Sequence, residues 1–147
     1  MKIKVELKTA VSNDTYHRVP DVSKIQKAIE EYSVGFKGAV VLHKSLYEYR
    51  YDTRNKFYND VDTRNIIGHI HSTVIENEKL FLIIEVDDTF LQDAKYICFF
   101  RSRMEKTPDA KSTEFNEINI FAVDLTMVGS LEEIKERYLS EVTILPD

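Results

Sequence analysis

Four histidines and a single cysteine make up the chain's stock of imidazole and thiol chemistry. His43 closes the run "GAVVLH" and is followed by Lys44 and Ser45. His69 and His71 stand two apart in "GHIHST", with Ser72 and Thr73 next. An imidazole beside a hydroxyl is what acid–base or nucleophilic catalysis needs, because the ring can take the hydroxyl's proton and return it to a leaving group. Two His-x-Ser/Thr elements, "HKS" at 43–45 and "HST" at 71–73, would allow one ring to act as base and the other as acid across a phosphodiester. Such a pair resembles the signature of the 2H phosphoesterases, and it is that resemblance which implies these two roles. Against it, Lys44 and Ser72 stand where that signature has an apolar residue, and the two elements lie close together in sequence. Residues 69 and 71 on a strand share a face, so both rings could reach one metal ion, yet no third ligand is recognisable nearby. No metal site or cofactor is expected. Cys98 could serve as a thiolate nucleophile, but its setting in "YICFF" is that of a small buried hydrophobe.

A second feature is aromatic. Between residues 46 and 64, Tyr47, Tyr49, Tyr51, Phe57 and Tyr58 interleave with Arg50, Arg54, Lys56 and Arg64. Rings among cations can clamp single-stranded nucleic acid. Here Glu48, Asp52, Asp60 and Asp62 balance those cations one for one, so a protein contact fits better, with Tyr47, Tyr49, Tyr51, Arg54, Phe57 and Tyr58 as its candidate residues. The competing reading is a loop lying back on its own domain.

Composition narrows the classes. A net charge of −5 argues against general nucleic-acid binding, which needs a basic footprint. One cysteine excludes an intrachain disulfide and fits a reducing compartment. The first residues lack the apolar region of a signal peptide, and the apolar runs are too short to span a membrane. The expectation is a protein of the cytoplasm, or one assembled there, that is not secreted. At 147 residues with 43% hydrophobic and 31% charged, the chain reads as one domain over 1–147, carrying the tyrosine-rich arm at about 46–64.

The elements that must position these residues follow from periodicity. "MKIKVELKT" alternates Ile3, Val5 and Leu7 with charged residues, predicting a half-buried strand. Val22, Ile25, Ile29 and Tyr32 keep helical spacing, with Ser23 and Gln26 as a candidate capping box. Residues 38–43 form a short apolar strand, and the polar, aromatic stretch after it reads as a long loop. Ile66–Ile75, a four-residue "ENEK" turn and Leu80–Val86 make a hairpin. "DDTFLQDA" reads as a turn in which Asp87 and Asp88 end the strand. "KYICFFR" and "EINIFAVDL" are two more strands, separated by a polar loop. Ser130 and Glu133 suggest a helix through Tyr138, and "EVTILPD" a terminal strand. So many consecutive strands exclude a doubly wound sheet. They predict an α+β fold with a mainly antiparallel, barrel-like sheet and two short helices.

This succession resembles the tailed-phage prohead (capsid maturation) proteases, whose fold is related to the herpesvirus assemblins. The resemblance lies in the helix "KIQKAIEEY", the strand "GAVVLH" ending in His43, the hairpin "IGHIHSTVIENEKLFLIIEV", the strand "YICFFRSR" and the late strand "EINIFAVDL". It covers about two-thirds of the chain. It implies that His43 matches the catalytic histidine and that a serine nucleophile belongs on or beside "YICFFRSR". In this chain Cys98 occupies the middle of that strand and Ser102 follows its arginine, with bulky Phe99 and Phe100 where small residues are usual. The pattern departs from the family at the nucleophile. The expected function is therefore a phage head or virion structural or assembly protein that works by contacts with capsid or other virion proteins. Its expected location is the virion or the host cytoplasm, and homo-oligomerisation is left open. Three alternatives stand beside it: an active serine or cysteine peptidase using His43 with Ser102 or Cys98, a 2H-type phosphoesterase, and a small host-interaction module directed at a host defence.

Overall fold

Alternation of apolar and charged residues puts the first segment in a strand with one wet face, and the computed structural model of the protein shows it as β1 (Lys2–Glu6). The structure describes residues 1–8, 22–51, 63–105, 117–129 and 138–146. The helical spacing seen from Val22 onward gives α1 (Val22–Gly35), which buries Ile25, Ala28, Ile29 and Tyr32 along one stripe. Ile25 and Ile29 each contribute roughly 1.5–3 kcal/mol on burial. Ser23 falls inside the first turn of α1 and not at its cap. Gln26 is drawn away as well, because its amide donates to Thr73 Oγ1 at 3.1 Å. Beyond the helix, Lys37 and Gly38 take left-handed φ values of 58° and 66°, which turns the chain back into β2 (Ala39–His43). The Tyr32 hydroxyl ties the two elements by donating to the Ala39 carbonyl at 2.5 Å.

The hairpin forms as β3 (Ile66–Glu76) and β4 (Lys79–Val86), but its turn is tighter than the sequence predicts. Glu76 pairs with Lys79, so the loop holds two residues, Asn77 and Glu78, at φ 50° and 64°. Positive φ at both positions is the type I′ geometry that matches strand twist. Gly68 is required by close approach: a Cβ there would lie 2.0 Å from the Glu85 carbonyl oxygen.

The remaining strands are longer than their apolar runs. β5 spans Lys95–Glu105, β6 spans Glu117–Val128, and β7 is the short Val142–Ile144. Residues predicted as loop after Arg101 therefore continue the β5–β6 ladder. The seven strands lie in the order β5-β6-β2-β3-β4-β1-β7, with β2 and β6 parallel and the other ladders antiparallel. This is an α+β fold whose mostly antiparallel sheet curls into a half-barrel. Its concave face holds the core, where Val5, Leu82, Val40, Val123, Leu125 and Cys98 meet α1. The two ends of the sheet approach at a seam: Leu7, just past β1, bridges to Cys98 of β5, and the N–H of Ser140, just before β7, donates to the Tyr96 carbonyl at 2.9 Å.

The second described helix lies where the sequence predicts loop. Residues Leu46–Tyr51 form α2, capped by Ser45, whose Oγ accepts from the Glu48 N–H at 3.0 Å, while Glu48 Oε2 reaches back past the cap to accept from the Lys44 N–H at 2.9 Å. The helix predicted from Ser130 falls mostly outside the described residues, as do Arg54, Phe57 and Tyr58. Among the described residues, no helix is long and apolar enough to cross a membrane.

Candidate functional site

Register decides which side chains share the convex face. Val41 pairs with Asp124 and His43 with Thr126 between β2 and β6; Phe99 pairs with Asp124 and Arg101 with Ala122 between β5 and β6. Side chains alternate along a strand, so His43, Asp124, Thr126, Phe99 and Arg101 all project from the side opposite the core. Asp124 sits centrally, with His43 and Arg101 as its diagonal neighbours. His43 Nε2 lies 2.8 Å from Asp124 Oδ1, and Arg101 donates through Nε to Oδ2 at 2.8 Å and through Nη2 to Oδ1 at 2.9 Å. All three are buried, Asp124 completely. An ionised carboxylate only accepts, so Nε2 carries the imidazole proton in this pair.

The helix α2 covers the cluster. Tyr49 sets its ring edge-on to His43 at 5.2 Å between centroids and lies 6.2 Å from Phe99. Burial, then the nearby Asp124 charge, pushes the Tyr49 phenol up to about 12, with Arg101 opposing. Tyr47 and Tyr51 occupy the other side of the helix, stacked with centroids 6.4 Å apart. They are 77% and 52% exposed. A spacing of four residues puts them on one helical face, and two residues from each places Tyr49 on the opposite one. Of the six aromatic and basic residues expected at an interface, Tyr47 and Tyr51 face outward, whereas Tyr49 packs inward against the histidine.

The other candidates are dispersed. Cys98 pairs with Leu125, which places it in the core on the far side of the sheet from His43. Burial, then Asp124, raises its thiol well above the usual range. Ser102 pairs with Ile120 just past an irregularity in the ladder, and Ile120 also belongs to the core face. The residue of β5 in line with His43, through Thr126, is Ile97, which is fully buried. His43 is thus brought together with a carboxylate and a guanidinium, and not with Cys98 or Ser102. Thr126 offers a hydroxyl on the same face, and its Oγ1 makes no hydrogen bond among the described residues, but it is completely buried.

His69 and His71 are both exposed on β3, where the ladder to β4 shifts between Ile70 and Ser72. Among the described residues no group of three metal-ligating side chains forms. His69 pairs with Ala39 at the start of β2, whereas His43 closes its other end. At about 3.3 Å per residue, His43 and His71 are separated by more than ~13 Å along the strands.

Sequence reasoning missed Asp124 and Arg101. A lone acid inside the apolar strand "INIFAVDLTMV" was the available signal, since a buried carboxylate requires partners. Comparison with protein-family models, with curated proteins and with solved structures found no match for the chain.

Proposed function

We propose that the protein works by binding other proteins and not by catalysis, as a structural or assembly component of a phage head. The observation that carries the mode of action is the fixing of His43. Its Nε2 proton is committed to Asp124, whose oxygens also hold Arg101, and α2 lies over all three. A general base has to lie within reach of the proton it removes. The hydroxyl and thiol considered for that role, Ser102 and Cys98, stand on the opposite face. The cluster instead anchors α2 and presents Tyr47 and Tyr51 as a rigid aromatic ridge. Rings of this kind carry much of the energy of protein contacts at low entropic cost.

The virion setting rests on the resemblance to prohead proteases, and the curled, mostly antiparallel sheet is consistent with it. Mass spectrometry of purified virions, with affinity capture by the wild-type protein and by a Tyr47→Ala/Tyr51→Ala variant, tests both parts. Expected is a capsid or other virion protein captured by the wild type and lost by at least ten-fold in the variant. Peptide hydrolysis abolished by His43→Ala would sink the non-catalytic reading. Absence of the chain from particles and assembly intermediates alike would sink the virion setting.

A further inference from the structure

We propose that the seam beside β7 is a docking site for an extended segment of a partner protein, which adds a strand to the edge of β7 that no other described strand pairs with. This surface is separate from the tyrosine ridge. The Leu145 N–H donates to the Lys2 carbonyl at 3.0 Å, and the Glu6 N–H donates to the Glu141 carbonyl at 2.9 Å. Thr143 pairs with Lys4 between them. Main-chain groups of successive strand residues point to opposite edges, so Glu141, Thr143 and Leu145 are turned toward β1. Val142 and Ile144 turn their N–H and C=O groups the other way, and among the described residues no backbone partner meets them there.

Behind this edge lies a groove of about 300 Å³, lined in part by Phe90, Ala94, Tyr96, Leu139, Val142 and Ile144. Val142 and Ile144 share registers with Val5 and Ile3 of the core face, yet Ile144 is 41% exposed because the half-barrel is open beside it. The seam is stapled around Tyr96 and Cys98, where the Ser140 N–H donates to the Tyr96 carbonyl at 2.9 Å, the Cys98 N–H to Ser140 Oγ at 2.8 Å and the Lys8 N–H to the Cys98 carbonyl at 2.9 Å. Beyond Ser140 it opens toward Ile144.

These features specify the occupant. Alternating main-chain donors and acceptors at strand spacing are complemented by an extended peptide backbone, and not by a helix, whose backbone groups are internally bonded. The apolar groove accepts a side chain at every second position of that peptide, which is the period of a strand. Lys95, also on the groove wall, favours an acidic residue at the flank.

The probe is a capped heptapeptide in which valine alternates with threonine, ending in glutamate, with a serine-for-valine version as control. Hydrogen exchange and titration by NMR are the readouts. In the free protein the Val142 and Ile144 amides exchange faster than those of Thr143 and Leu145, and the valine peptide slows them. Ile144→Pro deletes an outward N–H at an edge position that tolerates proline, leaving the bonds to β1 in place. It is expected to weaken peptide binding at least ten-fold. Ile144→Lys, which puts a charge at the groove and keeps the amide, is expected to do the same and covers the case in which the proline variant fails to fold. Equal binding of the serine peptide, or undiminished binding by a folded Ile144 variant, overturns the proposal. So does protection of Val142 and Ile144 that appears without peptide and follows self-association in sedimentation, since the occupant is then a second copy.

Discussion

Arg101 and Asp124 meet through two parallel hydrogen bonds, at 2.8 and 2.9 Å, from neighbouring strands on the convex face of the sheet. The same carboxylate holds His43 from the strand on its other side. Breaking such a buried pair from one side costs about 3–5 kcal/mol, because the remaining partner loses the charge that offsets its desolvation. Asp124→Asn should therefore lower the unfolding free energy by about that amount in a urea titration. The double change Asp124→Leu with Arg101→Met should recover most of the loss. A fall of less than about 1 kcal/mol in the single variant would show that the cluster contributes little.

Alkaline pH should loosen the fold through two phenols. Tyr32 and Tyr49 are both raised from 10.0 to about 12, burial being the larger cause and Asp124 the next. Each is protonated in the fold at a pH where the unfolded chain has already ionised. The unfolded state then binds fewer protons, and stability falls as pH rises from 10 toward 12. Each tyrosine should contribute up to about 1.4 kcal/mol of loss per pH unit in that window. Tyr49→Phe should flatten the decline without removing it, as followed by chemical denaturation at a series of pH values.

Cys98 should be inert until the protein unfolds. It is buried in the core with its thiol raised by burial, so the reactive thiolate is scarce and shielded. Labelling with a disulfide reagent at pH 8 should proceed at the rate of opening of the fold and become immediate in denaturant. Fast labelling of the native protein would place the sulfur in a different environment.

The hairpin turn is open to improvement. Glu78 holds a φ of 64°, a region that disfavours residues with a Cβ, and asparagine followed by glycine is the preferred pair for this turn. Glu78→Gly should raise stability by roughly 0.5–1 kcal/mol, read as a shift in the denaturation midpoint without a change in slope.

Local patterns made the strands and α1 legible. Alternation in residues 1–8 and a 3.6-residue period after Val22 are signals carried by adjacent side chains. The segment 46–51 was harder, since a helix of six residues shows too few turns for a period to emerge. Its marker was Ser45 followed three places on by Glu48, a capping signal hidden among tyrosines. The ion cluster was out of reach for another reason. His43 and Asp124 are 81 positions apart, and their meeting depends on β2 lying parallel to β6. Nothing near His43 in the sequence names that partner. The pairing of His69 with His71 was conversely too easy to see: two places apart on a strand is a local pattern, and in the fold both rings are exposed.

The parallel ladder between β2 and β6 has a kinetic consequence. The β3–β4 and β5–β6 ladders join strands that are consecutive in the chain, so they can close early. The strand β2 can reach its second neighbour only after the intervening chain has been made and arranged, and the entropy of that closure is spent before any contact repays it. Likewise β1 must wait for β7 to cover its outer edge. Contact order thus favours assembly of the sheet from two hairpins toward long-range closures, with Arg101–Asp124 forming inside the β5–β6 ladder and His43 joining it when β2 docks. His43 would then act as a proofreader of topology, since its ring meets Asp124 only when β2 lies beside β6.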